Sequence, residues 1–311
     1  MTGRSVEPHV MLNIMTPGRR ADVAWRACVV CVLGAVFVSS CNRGPAVLQQ
    51  QVQARQLAAD LHVQFTKAAD AANRAVMADT DESSKAAASE AESAAKLVQS
   101  DVDHLQPIIA SLGYADEKQH LADFKSRFAE YQKLDAEILP LAVQNTNLKA
   151  QQLSFNAGRE AITAFRTALA AAAKAATGGQ KCCVDALVQK AGAALLEIQV
   201  IQAQHIPESD DARMTQMEAD MANLDREARA ALADLQKAVP SSAAAQLTAA
   251  SAALEKFATV NAEIVKLSRQ NTNVRSLALS LGRKRTVTAQ CDDTLRELQY
   301  ALGRHEFRAT R

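Results

Sequence analysis

The sequence predicts an all-α protein, folded as two tandem long antiparallel helical bundles of the four-helix type. Three observations carry this prediction. Alanine fills 63 of 311 positions, against 11 glycines and 7 prolines; alanine is the best intrinsic helix former, and the other two are the main breakers. Apolar residues recur at steps of three and four, the spacing of one helix face. The chain also repeats itself at an offset of 126 residues. The same composition excludes other classes. Scarce Gly and Pro leave little material for the turns of an all-β fold. An apolar fraction of 48% is too high for wholesale disorder. A formal charge of +1, from 35 basic and 34 acidic residues, gives no footprint for nucleic acid.

Residues 1–40 read as a signal peptide, with Met1 or Met15 as its first residue. Arg19, Arg20 and Arg26 form a positive region ahead of the 12-residue apolar run Ala27–Val38. A membrane-spanning helix needs roughly 20 apolar residues, so this run is short for a permanent anchor. It ends Val38-Ser39-Ser40-Cys41, which resembles the lipobox of bacterial lipoproteins. The resemblance implies cleavage before Cys41 and lipidation of its thiol. It also implies a protein held at a membrane in the bacterial periplasm, the outer membrane rather than the inner, because Asn42 follows where the retention signal of enteric bacteria has Asp. Residues 41–45 are then a lipid-anchored linker.

The mature chain reads as a duplication, with repeat 1 at 46–176, repeat 2 at 177–303 and a tail at 304–311. Residues 131–148, YQKLDAEILPLAVQNTNL, align with 257–274, FATVNAEIVKLSRQNTNV, with 8 identities in 18 positions. The register continues without a gap to Ser154/Ser280, Arg159/Arg285 and Leu169/Leu295. A repeat of this length is a small helical domain rather than a solenoid unit. Breaks are few: Asp79-Thr80-Asp81 and Leu112-Gly113-Tyr114 in the first copy, His205-Ile206-Pro207 and Val239-Pro240-Ser241 in the second, and Thr177-Gly178-Gly179 between them. Asp81 and Ser241 are candidate N-caps, and Pro207 suits a first helical turn. Helices of about 30 residues span about 45 Å, and short loops between them imply antiparallel neighbours.

A seam of Leu121, Phe124, Phe128, Tyr131, Leu134, Ile138, Leu141, Leu148, Phe155, Ile162, Phe165 and Leu169 runs through the second half of copy one. Leu254, Phe257, Val260, Ile264, Leu267, Val274, Leu281, Cys291, Leu295 and Leu298 repeat it in copy two. Earlier helices use small residues, as in Ala91, Ala94, Ala95, Val98, Val102 and Leu105. Small side chains bury little area each at about 25 cal/mol per Å², so stability must come from length.

The QNTN elements interrupt both seams and have two structural readings. They are either a helix–helix turn with Asn or Thr as cap, or part of one long helix with a register-fixing seam asparagine. A third reading is functional. Asn145, Thr146, Asn147, Asn271, Thr272 and Asn273 are the positions where a bundle would meet a small polar ligand.

The segments YQKLDAEILPLAVQNTNLKAQQLSFNAGREAITAF and FATVNAEIVKLSRQNTNVRSLALSLGRKRTVTA resemble the HlyB-like four-helix-bundle ligand-sensing domain of methyl-accepting chemotaxis receptors. The resemblance implies an extracytoplasmic, chemoreceptor-like sensory or ligand-binding module. No second apolar span follows Leu298, so sensing is expected to act through an envelope or receptor protein. The alternative is a structural spacer or protein-binding scaffold. No ligand residues carry over from the family, because none match a specific motif.

No catalytic site, metal site or cofactor is expected. HExxH, P-loop, GxSxG and CxxCH motifs are absent. Glu117 and His120 have one Glu-x-x-His spacing, but copy two has Ala243 and Gln246 there, so both read as solvated first-turn residues. The run Gly282-Arg283-Lys284-Arg285 reads as a solvated helix face. Cys182, Cys183 and Cys291 remain after processing; their pairing cannot be deduced from sequence, and they read as incidental.

Overall fold

The structure, a computed structural model, describes residues 43–305. The signal peptide, Val38-Ser39-Ser40 and Cys41 lie outside the described residues, as does the tail after His305. Two compact units divide the chain. One is Gln50–Ala309, in which the helical cores lie; the other is Met1–Gln49 with Thr310–Arg311, and its described part is the start of the first helix.

Ten α-helices succeed one another among the described residues: α1 Arg43–Met77, α2 Asp81–Leu112, α3 Ala115–Gln144, α4 Thr146–Leu153, α5 Arg159–Ala173, α6 Lys181–His205, α7 Asp211–Ala238, α8 Ala244–Gln270, α9 Thr272–Leu279 and α10 Arg285–Arg304. No strand occurs among the described residues. α1 begins inside the segment expected as linker; Pro45 falls in its first turn, where a missing N–H costs nothing. The caps also differ from expectation. Thr80, one residue before Asp81, caps α2 by accepting from the Ser83 N–H at 3.1 Å. Asp210 caps α7 through the N–H groups of Ala212 and Arg213, and Pro207 stays in the preceding turn. Ser241 opens a short 3-10 turn instead of capping.

α3–α4–α5 form one arm and α8–α9–α10 another. α3 packs on α10 and α9, α4 on α9 and α8, and α5 on α8, so the arms lie side by side in opposite directions. Glu160 faces Lys256, Thr146 faces Thr272, Asp135 faces Lys284 and His120 faces Glu297. One core joins α1, α2, α3 and α10 around Phe65, Phe124, Phe128, Tyr131, Leu295 and Leu298. The other joins α5, α6, α7 and α8 around Phe165, Leu169, Leu195, Ile198, Leu235 and Phe257.

The cores therefore divide differently from the sequence repeats at 46–176 and 177–303. Each four-helix bundle takes three helices from one copy and its last helix from the other. The physical reason is that both copies carry the same seam. A terminal arm helix buries the same stripe against either copy, as in domain exchange between protomers. Aromatic residues concentrate in the first bundle. Phe65 meets Phe124, Phe128 and Tyr131 edge-on at 5.8, 6.2 and 5.3 Å, an arrangement that adds to their burial.

The seam fails at two equivalent places. Phe155 is 54% exposed and Leu281 62%. Both lie in π-helical turns, Ser154–Gly158 and Ser280–Lys284, at the same position of each copy. A π turn inserts one extra residue. The insertion rotates the rest of the helix by about 100° and takes these two side chains off the buried stripe.

Candidate functional site

The QNTN elements are neither long helix nor ordinary turn. Asn145 (φ 52°, ψ 39°) and Asn271 (φ 56°, ψ 35°) are single left-handed residues that break each arm, a conformation asparagine tolerates better than most residues. Each helix restarts at once, leaving its first N–H groups without intrahelical partners. The two copies satisfy one another. The Thr146 N–H donates to Thr272 Oγ1 and the Thr272 N–H to Thr146 Oγ1, both at 3.2 Å. The Asn147 N–H donates to Asn273 Oδ1 and the Asn273 N–H to Asn147 Oδ1, both at 3.1 Å. Asn147 Nδ2 donates to Asn271 Oδ1 at 2.7 Å, and Asn273 Nδ2 donates to Asn145 Oδ1 at 2.9 Å. Two helix N-termini, each carrying partial positive charge, are thus held together by side-chain oxygens. The structure brings together all six predicted polar positions, and they spend their polar atoms largely on each other.

Two grooves flank this crossing, one at each π turn. The first, about 450 Å³, lies between α1 and the α9–α10 arm, so both copies build it; Phe65, Ala69, Val76, Leu277, Leu281 and Lys284 are among its walls. The second, about 350 Å³, lies between α6 and α4, and Asn147 and Asn273 line it beside Phe155 and Gln199. Both fall in the size range of small-molecule sites. They are related by the repeat, since Leu281, Ser280 and Asn73 of the first correspond to Phe155, Ser154 and Gln199 of the second.

The polar side chains beneath the two grooves differ. Under the first, Lys284 is only 2% exposed, and its ammonium donates to Asp135 Oδ1 while lying 5.0 Å from the Tyr131 ring centre. Burial holds the Lys284 ammonium below its ordinary range, with Asp135 opposing the effect. Burial likewise raises the Asp135 carboxyl, with Lys284 opposing it. The Tyr131 hydroxyl is pushed far above the phenol range by burial and then by Asp135. Ser280 Oγ donates to Asn73 Oδ1 at 3.3 Å. Under the second groove, Asn261 stands at the place of Asp135 and Gly158 at that of Lys284. A neutral chain replaces the ion pair: Ser154 Oγ donates to Gln202 Oε1 and Gln202 Nε2 to Asn261 Oδ1, each at 2.7 Å.

The charge run 282–285 is therefore not wholly solvated. Arg283 and Arg285 are exposed, but Lys284 turns inward. It comes directly after Gly282-Arg283, and Gly282 leaves helical geometry at φ −85°, ψ −115°. Glu117 is also buried rather than solvated, 2% exposed, because His305 Nε2 closes on its Oε1 at 2.7 Å and stacks on Tyr114 at 3.7 Å. Beside the crossing, fully buried His205 bridges Ser268 Oγ at 2.7 Å and Glu218 Oε1 at 2.9 Å. Sequence reading missed Lys284, Asp135 and the Ser154–Gln202–Asn261 chain. The available signal was the mismatch between copies: an acid, Asp135, where copy two has Asn261, and a base, Lys284, where copy one has Gly158. Among the described residues, no three His, Cys, Asp or Glu side chains gather as a metal site would require, and no helix is long and apolar enough to cross a membrane.

No curated protein and no solved structure matches the chain. Residues 26–177, which contain the first copy, match the family described as the four helix bundle sensory module for signal transduction, a helical and non-catalytic class of domain.

Proposed function

We propose that the protein is a lipid-anchored periplasmic sensory module that binds a small ligand between α1 and the α9–α10 arm and acts through a partner protein. The observation that carries the reading is the first groove. Its walls come from both copies, and the arm that forms one wall runs directly from the crossing at Asn271. A ligand there favours one placement of the arm over others by its differential contacts, which is the thermodynamic requirement for a sensor. The family match on the first copy supports the same reading.

Thermal-shift screening of the mature chain against amino acids, organic acids and aromatic compounds tests it. A ligand that binds only the folded state stabilises it by RT ln(1 + [L]/Kd), so the midpoint rises with ligand concentration. If none does, small-molecule sensing is abandoned. The anchor rests on Cys41, and Cys41→Ser should abolish both metabolic lipid labelling and membrane fractionation. A mutant that still fractionates with membranes would make the run 27–38 a plain anchor. A scaffold reading draws on exposed Leu196 and Val200, 39% and 59% accessible on α6. In-cell crosslinking that captures a stable partner without ligand would favour it.

A further inference from the structure

We infer that the first groove is selective for an amphipathic monocarboxylate, an apolar body ending in a single carboxylate, and that the second groove is not. The inference rests on the sensory reading above and assigns the ligand class of its site. The argument is one of unmatched donors. The walls are apolar: Phe65, Ala69 and Val76 on one side, Leu277 and Leu281 on the other. The polar groups along the groove are mostly donors. Arg285 is exposed and makes no ion pair among the described residues. Asn73 uses its Oδ1 to accept from Ser280, which leaves its amide N–H groups for a ligand. Lys284 has three N–H donors, of which Asp135 takes one. The acidic group on the rim, Asp292, is already engaged by His62 Nε2 and Arg296, both at 2.6 Å. A planar carboxylate matches the Arg285 fork in a way that neither an alcohol nor an ammonium does.

The second groove is the internal control. It holds the equivalent place in the repeat and is of similar size, but Gly158 stands in place of Lys284, Arg159, the counterpart of Arg285, is not among its walls, and Ser154, Gln202 and Asn261 satisfy one another there.

Calorimetric titration of the full mature chain with octanoate, octanol and octyl phosphate tests the inference. Octanoate should bind saturably, and octanol roughly tenfold or more weakly, the loss expected for one charge-assisted hydrogen bond. Arg285→Gln, at an exposed position, should weaken octanoate by a similar factor without changing the thermal midpoint of the free protein. Leu281→Ala should weaken it roughly fivefold, and the equivalent Phe155→Ala should leave it unchanged. The inference is overturned by equal binding of octanol, by unchanged affinity in Arg285→Gln, by equal loss in Phe155→Ala, or by no saturable octanoate binding. Tighter binding of octyl phosphate would overturn the carboxylate assignment in favour of a phosphate headgroup. If octanoate fails while another compound in the broader screen raises the midpoint, the anion assignment falls and the sensory reading stands. If both fail, both fall.

Discussion

Replacing Lys284 by Met removes the buried cation beneath the first groove and leaves the Asp135 carboxylate without a counter-charge. The two side chains are 2% and 11% exposed, so solvent cannot take over. Breaking a buried pair from one side costs about 3–5 kcal/mol, mostly the penalty of the charge left behind. At roughly 2–4 °C per kcal/mol for a domain of this size class, the melting midpoint should fall by roughly 6–20 °C. The companion Asp135→Leu/Lys284→Met variant removes both charges, and apolar replacement of such pairs is commonly neutral or stabilising. The protein already contains the neutral solution, since its other half carries Asn261 and Gly158 at these two places. Denaturant titration of wild type, single and double variants measures the cycle. A loss under about 1 kcal/mol for Lys284→Met, or a double variant as unstable as the single one, would refute the reasoning that the ion pair is a buried polar element tolerated for its site.

The same geometry predicts other outcomes. Asn147→Ala removes the acceptor of the Asn273 N–H and the donor to Asn271; equilibrium unfolding should show a loss of about 1–3 kcal/mol. Glu218 is held below the ordinary carboxylate range, first by Arg269 and then by His205. The folded state therefore resists protonation there: the stability it supplies is complete above pH 4.5, the ordinary value, and is lost as pH falls through the lower folded value. Glu218→Gln should flatten that acid limb in a pH series of thermal melts. Cys291 is buried, and its thiol is pushed up to about 12 by burial, so iodoacetamide should label exposed Cys182 and Cys183 in the native protein and reach Cys291 only after unfolding. Cleavage at a protease site placed between Gly178 and Gly179, an exposed turn, should leave the two fragments co-eluting, because each bundle holds a helix from either side of the cut.

The fold class was legible because helix signals were strong and nothing in the sequence opposed them. The 126-residue sequence repeat is legible because Ala136/Ala262 through Asn147/Asn273 align without gaps. The exchange of terminal helices was not. Leu295 and Leu169 occupy equivalent seam positions, so either could close either bundle on apolar pattern alone, and only three-dimensional packing decides. The π turns were also hidden. A period-based stripe carried through Phe155 and Leu281 and put both inside, because the pattern has no term for an inserted residue. Asn145–Asn147 and Asn271–Asn273 stand out in the sequence because polar residues interrupt an apolar seam. Lys284 does not stand out in the sequence because it sits between two arginines, and a basic run normally faces water.

The two copies trade their last helices, and that exchange is what allows both to build one groove. Cysteine pairs in a background without Cys182, Cys183 and Cys291 test it directly. His120 on α3 lies 3.5 Å from Glu297 on α10, whereas Ala171 is the equivalent of Glu297 in the first copy's own α5. A short bis-maleimide should join H120C to E297C within one chain, in high yield, and fail to join H120C to A171C. Efficient crosslinking of the H120C/A171C pair, with none for H120C/E297C, would mean that each copy closes its own bundle and that the groove between α1 and α9–α10 does not exist.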